Sequence, residues 1–408
     1  SPGDVTAGVL EHDRDGSGAA VLAALGLLAA EVARRLVTGG LTIVGVTGSS
    51  GKTSTKDLLA AVLAPLGPVV APPGSFNNEL GHPWTVLRAD ESTRYLILEM
   101  SARHPGNIAH LAAIAPPQIA VVLNVGTAHL GEFGSRQAIA DTKAELAQAV
   151  PASGVVVLNA DDSAVAAMAG LTAARVVRVS RNSHADVWAD EATLDAEARP
   201  AFSLHFSGGA VPVSLAVHGD HQVSNALCAA AVALECGATG EQVAAALAAA
   251  GPVSKHRMAV TTRADGVTVI NDAYNANPDS MRAGLQALAW MARGERGASR
   301  RKSFAVLGEM AELGEDAISE HDLIGRLVVR LDVSRLIVVG TGRSMSAMLH
   351  GAVMEGSWGS EATQVADVSA ALELLRSELA EGDVVLVKAS NSAGLSALAQ
   401  ELAGDTDR

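Results

Sequence analysis

The apolar run Leu41-Thr42-Ile43-Val44-Gly45-Val46 passes through Thr47 into Gly48-Ser49-Ser50-Gly51-Lys52-Thr53, and a helical stretch, Ser54 to Leu63, follows. A buried strand, a glycine-bearing turn and a helix in immediate succession point to an α/β sheet with the turn at its edge. Such a turn suits phosphate; a plain Gly-Ser-Ser-Gly turn is the alternative, disfavoured by Lys-Thr in register with a buried strand. Glycines let backbone N–H groups close around an anion, and the helix N-terminus favours negative charge. Lys52 can then reach β- and γ-phosphates, and the Thr53 hydroxyl can ligate Mg²⁺. Val46 stands five residues before Gly51, so the general G-x-x-x-x-G-K-T form is not met and the loop reads as a shorter T-G-x-x-G-K-T. Gly48, Ser49, Ser50, Gly51, Lys52, Thr53 and Ser54 are the expected contacts, with ATP or a close relative as ligand.

At 408 residues the chain exceeds one ordinary core, and two to three domains are expected. Hydrophobic residues make up 49% and charged residues 18%, which excludes a disordered chain. Aromatics are only 3%, so the cores must be built from Ala, Val and Leu, and platforms for stacking bases are disfavoured. A net charge of −14 argues against nucleic acid or an anionic membrane as the main partner. Cys228 and Cys236 lie in an Ala-rich helical stretch more than a turn apart, which suits small buried hydrophobes and not a disulfide. No basic-then-apolar leader and no membrane-length apolar run is visible, so a cytoplasmic protein is expected. Ser1 in place of Met suggests processing, or a start inside a longer chain.

Residues 1–40 give a polar lead and one helix, Ala19 to Val37, without a visible core. From residue 41 to 251 apolar runs alternate with helices, with strands expected at Leu41–Val46, Tyr95–Leu98, Ile119–Asn124, Val155–Asn159 and Val176–Ser180. Phe202–Phe206 and Val211–Val217 read as an antiparallel hairpin at the edge, followed by helices Val223–Glu235 and Glu241–Ala250. Gly251-Pro252 breaks the pattern, and a second alternation fills 252–408. It has strands at Val267–Asn271, Phe304–Leu307, Leu336–Val339 and Val384–Val387. The fold class is therefore α/β. A central P-loop-type, doubly wound, mostly parallel sheet is expected beside a smaller Rossmann-like C-terminal domain, with a ligand cleft between them.

Several residues at strand ends carry candidate chemistry. Glu99 closes the strand Tyr95-Leu96-Ile97-Leu98, where a carboxylate could bind Mg²⁺ directly or through water, or simply face solvent. His129, in the loop Asn124 to His129, could ligate a second metal, orient a phosphate, or be solvated. Taken alone, Lys143 reads as an exposed helix lysine. Asn225 is poorly explained by helix propensity. Its amide offers the donor and acceptor an adenine edge requires, and a local hydrogen bond accounts for it equally well. In Asn271-Asp272-Ala273-Tyr274-Asn275-Ala276-Asn277-Pro278, Asp272 could bind ribose hydroxyls and Asn277-Pro278 opens a helix. Upstream, Lys255-His256-Arg257 supplies cations that could stabilise a transferring phosphate or simply be solvated.

In this order the elements resemble the Mur ligase family. The stretches that carry the resemblance are TGSSGKTS (47–54), GSFNNELGHPWTVL (74–87), LILEM (96–100), NVGTAHLGEFGS (124–135), NDAYNANPDSM (271–281) and LGEMAELGE (307–315). They run from about Leu41 to Leu402 and separate the dipeptide-adding branch from its sister enzymes. The Ala- and Gly-rich composition suggests an actinobacterial source.

The resemblance implies an ATP-dependent, ADP-forming ligase of peptidoglycan-precursor synthesis. UDP-MurNAc-tripeptide and D-Ala-D-Ala are its substrates, two Mg²⁺ ions its cofactors, and a monomer its expected state. Lys52 and Thr53 would bind phosphate and Mg²⁺, with Glu99 on the first metal and His129 on the second. Lys143 would be carbamylated, its new carboxylate supporting the second metal. Asn225 would contact adenine, Asp272 ribose and Arg257 phosphate. Asn77 and Asn78 would wall the nucleotide-peptide site, and Tyr274, Asn275, Asn277 and Lys388 would face substrate. The chain departs from the family pattern at Gln222, where Asn is usual after His, and at Lys388-Ala389-Ser390-Asn391, which replaces Lys-Gly-Ser-Arg at the dipeptide-carboxylate contact. Residues 1–40 would be the tail of an N-terminal UDP-binding domain with its linker helix. The alternatives are another ligase of the superfamily, such as a single-amino-acid-adding enzyme or a folylpolyglutamate synthase, and a nucleotide-binding scaffold that no longer ligates.

Overall fold

The structure is a computed structural model that describes residues 13, 16–126, 130–294, 300–356 and 359–404. Its first sheet contains β1 (Thr42–Thr47), β2 (Val69–Val70), β3 (Tyr95–Glu99), β4 (Ile119–Val122), β5 (Val155–Asn159), β6 (Arg175–Ser180), β7 (Val187–Ala189), β8 (Thr193–Leu194), β9 (Pro200–Phe206) and β10 (Gly209–Ser214). The order is β10-β9-β7-β6-β5-β4-β1-β3-β2, with β8 paired to β9. Strands β1 to β7 pair in parallel; β9 runs antiparallel to β7, β8 and β10. The expected edge hairpin is thus present, though its second strand stops at Ser214.

The central strands β3 and β4 are buried at every position because both faces are covered. Val44, Val46, Ile97 and Val121 pack on one face beneath the helices Lys52–Leu63 and Gln222–Glu235. Ile43, Leu96, Leu98, Ala120 and Val122 pack on the other, beneath Ser17–Thr38, Asn107–Ile114 and Arg136–Ala149. Each such Val, Leu or Ile contributes roughly 1.5–3 kcal/mol through burial. Leu27 and Leu28, on the first of these helices, remain exposed.

The second sheet contains β11 (Ala259–Thr262), β12 (Thr268–Asp272), β13 (Ser303–Leu307), β14 (Arg335–Val339), β15 (Ala362–Val365) and β16 (Val384–Lys388), ordered β11-β12-β16-β13-β14-β15. Only the edge strand β11 is antiparallel in this sheet. β11 and β15 escape an apolar-run reading because they are edge strands carrying Thr261, Thr262, Thr363 and Gln364. β2 and β8 have two residues each, too short for any periodicity. Among the described residues, no helix is long and apolar enough to cross a membrane.

Parallel strands bring their C-terminal ends to one edge. In the first sheet β1 has β3 on one side and β4 on the other, so its following loop sits where the winding reverses. The ends of β12 and β16 in the second sheet face that same region.

Candidate active site

Beyond β1 the chain turns through Gly48–Gly51, and the Lys52–Leu63 helix begins two residues earlier than its apolar pattern suggests. Gly51 has φ +82°, and a Cβ there would lie 2.6 Å from Asn225 Oδ1; one at Gly48 would lie 2.8 Å from Leu123 Cβ. Both positions require glycine, the first for its left-handed backbone as well. Asn124, beyond β4, clamps the loop. Its Oδ1 accepts from the N–H groups of Ser49 and Ser50, both at 2.9 Å, and its Nδ2 donates to Ser50 O at 3.2 Å. The anion cradle is therefore narrower than the sequence suggests. The amides of Ser49 and Ser50 are taken, and the unpaired N–H groups of the helix's first turn, Lys52 to Ser54, remain for phosphate. Lys52 Nζ folds back to donate to Gly48 O at 2.8 Å.

Behind the loop, Glu99 is fully buried, not a surface residue. Burial pushes its carboxyl up, while the charges of Lys56, Lys52 and Arg257 pull it back. Thr53 Oγ1 donates to Glu99 Oε2 at 3.3 Å, and Asn77 Nδ2 lies 3.5 Å from the same oxygen. Glu99 Oε1 is buried and, among the described residues, has no hydrogen-bond partner. An orphaned carboxylate oxygen beside a threonine hydroxyl is a hard-oxygen donor set, which fits Mg²⁺. Desolvation pushes Lys52 down to about 8, opposed by Glu99 and reinforced by Arg257.

The exposed-lysine reading of Lys143 is overturned. The Arg136–Ala149 helix packs that face inward, and Lys143 is buried. Desolvation, helped by the charge of Lys52, pushes its amine down to about 7. No partner accepts from its ammonium among the described residues. His129 lies outside the described residues.

Across the cleft, the 251–258 segment delivers Arg257. Its guanidinium lies 4.4 Å over the Tyr274 ring, and Nη2 donates to Ser75 Oγ at 3.1 Å. Ser75 Oγ lies 2.8 Å from Thr53 Oγ1. His256 and Met258, flanking Arg257, both take left-handed φ, +58° and +49°. Such strain persists only where surroundings hold it. Asn271 Nδ2 lies 2.9 Å from His256 Nδ1, and Met258 N–H donates to Asp272 Oδ1 at 3.1 Å. The segment is also pinned to the loop's helix: Lys56 Nζ donates to Ser254 Oγ at 3.3 Å, and Ser254 N–H to Asp57 Oδ2 at 3.2 Å.

A cavity of about 400 Å³ lies between the two sheets, lined by Ser50, Gly51, Ser54, Asn225, Arg257, Asp272 and Lys388 from the predicted set. Arg181, Asp220, Asp279 and Arg282 join them. Asn225 Nδ2 donates to Gln222 Oε1 at 2.9 Å, and its Oδ1 packs against Gly51, so the donor end of that amide is engaged locally while it lines the cavity. Asp272 and Lys388 are register partners on β12 and β16, and Lys388 Nζ donates to Asp272 Oδ2 at 2.6 Å and to Asn275 O at 2.9 Å. Lys388 Nζ is therefore already engaged by Asp272 and Asn275 while its side chain lines the cavity. Asn277 caps the Pro278–Arg293 helix and reaches Ser49 O at 3.4 Å, tying the second sheet to the loop. Asn78 Oδ1 accepts from Leu80 N at 3.3 Å and Gly81 N at 2.9 Å, shaping the turn.

Sequence reasoning missed Ser75, Lys56, Ser254, Arg181 and Asp220. Ser75 stood inside a noted motif, but nothing in the string places it against Arg257. Arg181 and Asp220 form a bidentate pair, both contacts 2.7 Å, between residues at opposite ends of an intervening antiparallel excursion.

With this geometry, comparison with known proteins is direct. The model of the Mur ligase middle domain matches residues 46–233, and that of the Mur ligase glutamate ligase domain matches 256–391. The chain belongs to the Mur ligase family. It is 74% identical to the UDP-N-acetylmuramoyl-tripeptide–D-alanyl-D-alanine ligase of Mycobacterium tuberculosis (strain ATCC 25618 / H37Rv), over 98% of this chain and 81% of that protein. The enzyme of that name from Escherichia coli (strain K12) is 32% identical over 88% of this chain and 76% of its own length. Among solved structures, MurF from Acinetobacter baumannii superposes with a TM-score of 0.84 at 31% identity, covering 94% of this chain and 80% of that one. MurF ligase from Thermotoga maritima, solved in complex with ADP, gives 0.81 at 28% identity, covering 94% and 84%.

Proposed function

We propose that this chain is an ATP-dependent, ADP-forming ligase that joins D-alanyl-D-alanine to UDP-MurNAc-tripeptide. The observation that carries the reading is the 74% identity to a mycobacterial enzyme of that activity over 98% of the chain, with the phosphate loop, buried Glu99 and Arg257 assembled at one cleft.

The peptide's terminal carboxylate attacks the γ-phosphate, breaking its bond to the β-phosphate oxygen and releasing ADP. The amine of the dipeptide then attacks the resulting acyl phosphate through a tetrahedral intermediate, which expels phosphate as the amide forms. Two anions must meet in the first step, so preorganised positive charge is the main requirement. Lys52 and the helix N-terminus hold the phosphates from one side, and Arg257 meets them from the other. Thr53 and Glu99 would hold a Mg²⁺ ion that offsets phosphate charge. Asn225 would line the adenine end and Asp272, steadied by Lys388, the ribose. Asn77, Asn78, Tyr274, Asn275 and Asn277 lie in loops that would shape the peptide and dipeptide sides. Closure of the cleft on bound substrates would exclude water, which would otherwise hydrolyse the acyl phosphate.

Lys143 would act as a carbamate. Its neutral Nζ attacks CO₂ and loses a proton, turning a cation into a carboxylate that, with His129, would support a second Mg²⁺. An unpaired amine held near a pKa of 7 supports this reading, because only the free base reacts with CO₂.

Coupled assay of ADP release, with mass spectrometry of the product, tests the function. D-Ala-D-Ala is expected to drive turnover where single amino acids and glutamate do not. Equal turnover with glutamate would overturn the assignment.

A further inference from the structure

Ser75 lies where the two halves of the molecule meet the cation site, and the direction of its hydrogen bonds follows from chemistry. Arginine has only donors, so Ser75 Oγ accepts from Arg257 Nη2 at 3.1 Å. The Ser75 proton is then free for Thr53 Oγ1 at 2.8 Å, whose own proton goes to Glu99 Oε2 at 3.3 Å. The result is a one-way chain from Arg257 through Ser75 and Thr53 to Glu99. Hydrogen bonds in series polarise one another. A guanidinium at the head of the chain makes Ser75 a better donor to Thr53 and Thr53 a better donor to Glu99.

We propose that Ser75 is a positioning residue that couples Arg257 to the Thr53–Glu99 cation site, so that the phosphate-loop side responds to the arrival of the second sheet. Two features make coupling the outcome. Arg257 projects from a segment with left-handed backbone on both sides, and its guanidinium is held between the Tyr274 ring and Ser75 Oγ. Thr53, on the loop's helix, and Glu99, at the end of β3, are both buried, so their geometry cannot relax into water. Ser75 is the half-buried hydroxyl between Arg257 and Thr53. A Thr53 hydroxyl that held a cation would be a poor acceptor. Its bond with Ser75 would then reverse or break, leaving the Ser75 proton available to an anion beside Arg257. Cation binding and Arg257 placement are therefore linked through one oxygen.

The inference rests on the ATP-dependent reading of the loop. Its test is a double-mutant cycle on binding, followed by calorimetry with a non-hydrolysable ATP analogue and Mg²⁺, on Ser75→Ala, Arg257→Ala and the pair. Arg257→Ala is expected to weaken binding by about 10-fold in the parent, the scale of a hydrogen bond to a charged group, and by about 3-fold in the Ser75→Ala background, where only its direct contact with phosphate is lost. Ser75→Thr, which keeps the hydroxyl, should retain the coupling. Ser75→Val, equal in shape, should lose it, and this pair carries the test if Ser75→Ala does not fold. Additive losses, or equal coupling in the Thr and Val variants, would overturn the proposal while leaving the ligase reading intact. Absence of any analogue binding by the parent chain would overturn both.

Discussion

Two buried lysines, one under each sheet's ligand edge, are treated in opposite ways. Lys388, at the end of β16, has its charge met by Asp272, its register partner on β12, and by the carbonyl of Asn275. Burial lowers its pKa, and Asp272 raises it back. Lys143 has no such partner among the described residues, and burial together with Lys52 brings it to about 7. A buried charge costs stability unless it is paired. The second-sheet side met that cost with an ion pair and gained rigidity. The first-sheet side leaves it unmet and gains an amine that is neutral, and so reactive, near physiological pH.

The contrast should break most severely at the pair. Lys388→Met leaves Asp272 buried and uncompensated, which is expected to cost about 3–5 kcal/mol, read by chemical denaturation. Lys388→Met with Asp272→Asn should recover much of that loss; if the double variant is as unstable as the single, the ion-pair assignment is wrong.

Lys143→Ala should leave the fold in place and lower ligation by about 10²–10³-fold, the scale seen when preorganised charge is removed from a reacting centre. Added short carboxylates should restore part of the rate. Undiminished turnover without them would take Lys143 out of the reaction.

The pH dependence sharpens the comparison further. In CO₂-free buffer the folded pKa of Lys143, about 7, lies below its ordinary value of 10.5. Between those values the unfolded chain binds more protons, so this residue makes stability rise as pH rises from about 7 towards 10.5, and its penalty is complete below 7. Lys143→Met should therefore be more stable than the parent at neutral pH, on the order of 1–3 kcal/mol, and lose that slope. A parent whose stability is flat over this range would refute the unpaired-lysine picture.

The smallest effect concerns the left-handed clip. His256→Gly should cost no more than about 1 kcal/mol, because strain relief offsets the lost bond to Asn271, whereas His256→Val should cost about 1–3 kcal/mol. Equal thermal melts for the two variants would show that backbone strain there is unimportant.

Much of the frame was readable from the string. The apolar runs at Leu41, Tyr95, Ile119 and Val155, short and set between helical stretches, read as strands covered on both faces, and the glycines before Lys52-Thr53 read as an anion-binding turn in preference to a plain one. Strands β11 and β15 were not readable, because an edge strand need not be apolar. At the site, Glu99 and Arg257 stood out by type and position. Lys143 did not, because a lysine in a helix reads as exposed until the packing of that helix is known. Ser75 did not either, because its meaning lies in a contact with a residue 182 positions away.

The sequence by itself determined two α/β units in series and a turn suited to phosphate, while its resemblance to a family supplied groups such as Lys143 that local pattern did not mark. Local pattern suffices for the first two because strand burial, glycine backbone freedom and helix N-terminal charge are short-range properties. Only the tertiary structure decided which of those groups are buried, which are already paired, and which meet across the cleft. Those outcomes depend on desolvation and on distances of a few ångströms between residues far apart in the chain, and no local rule contains them.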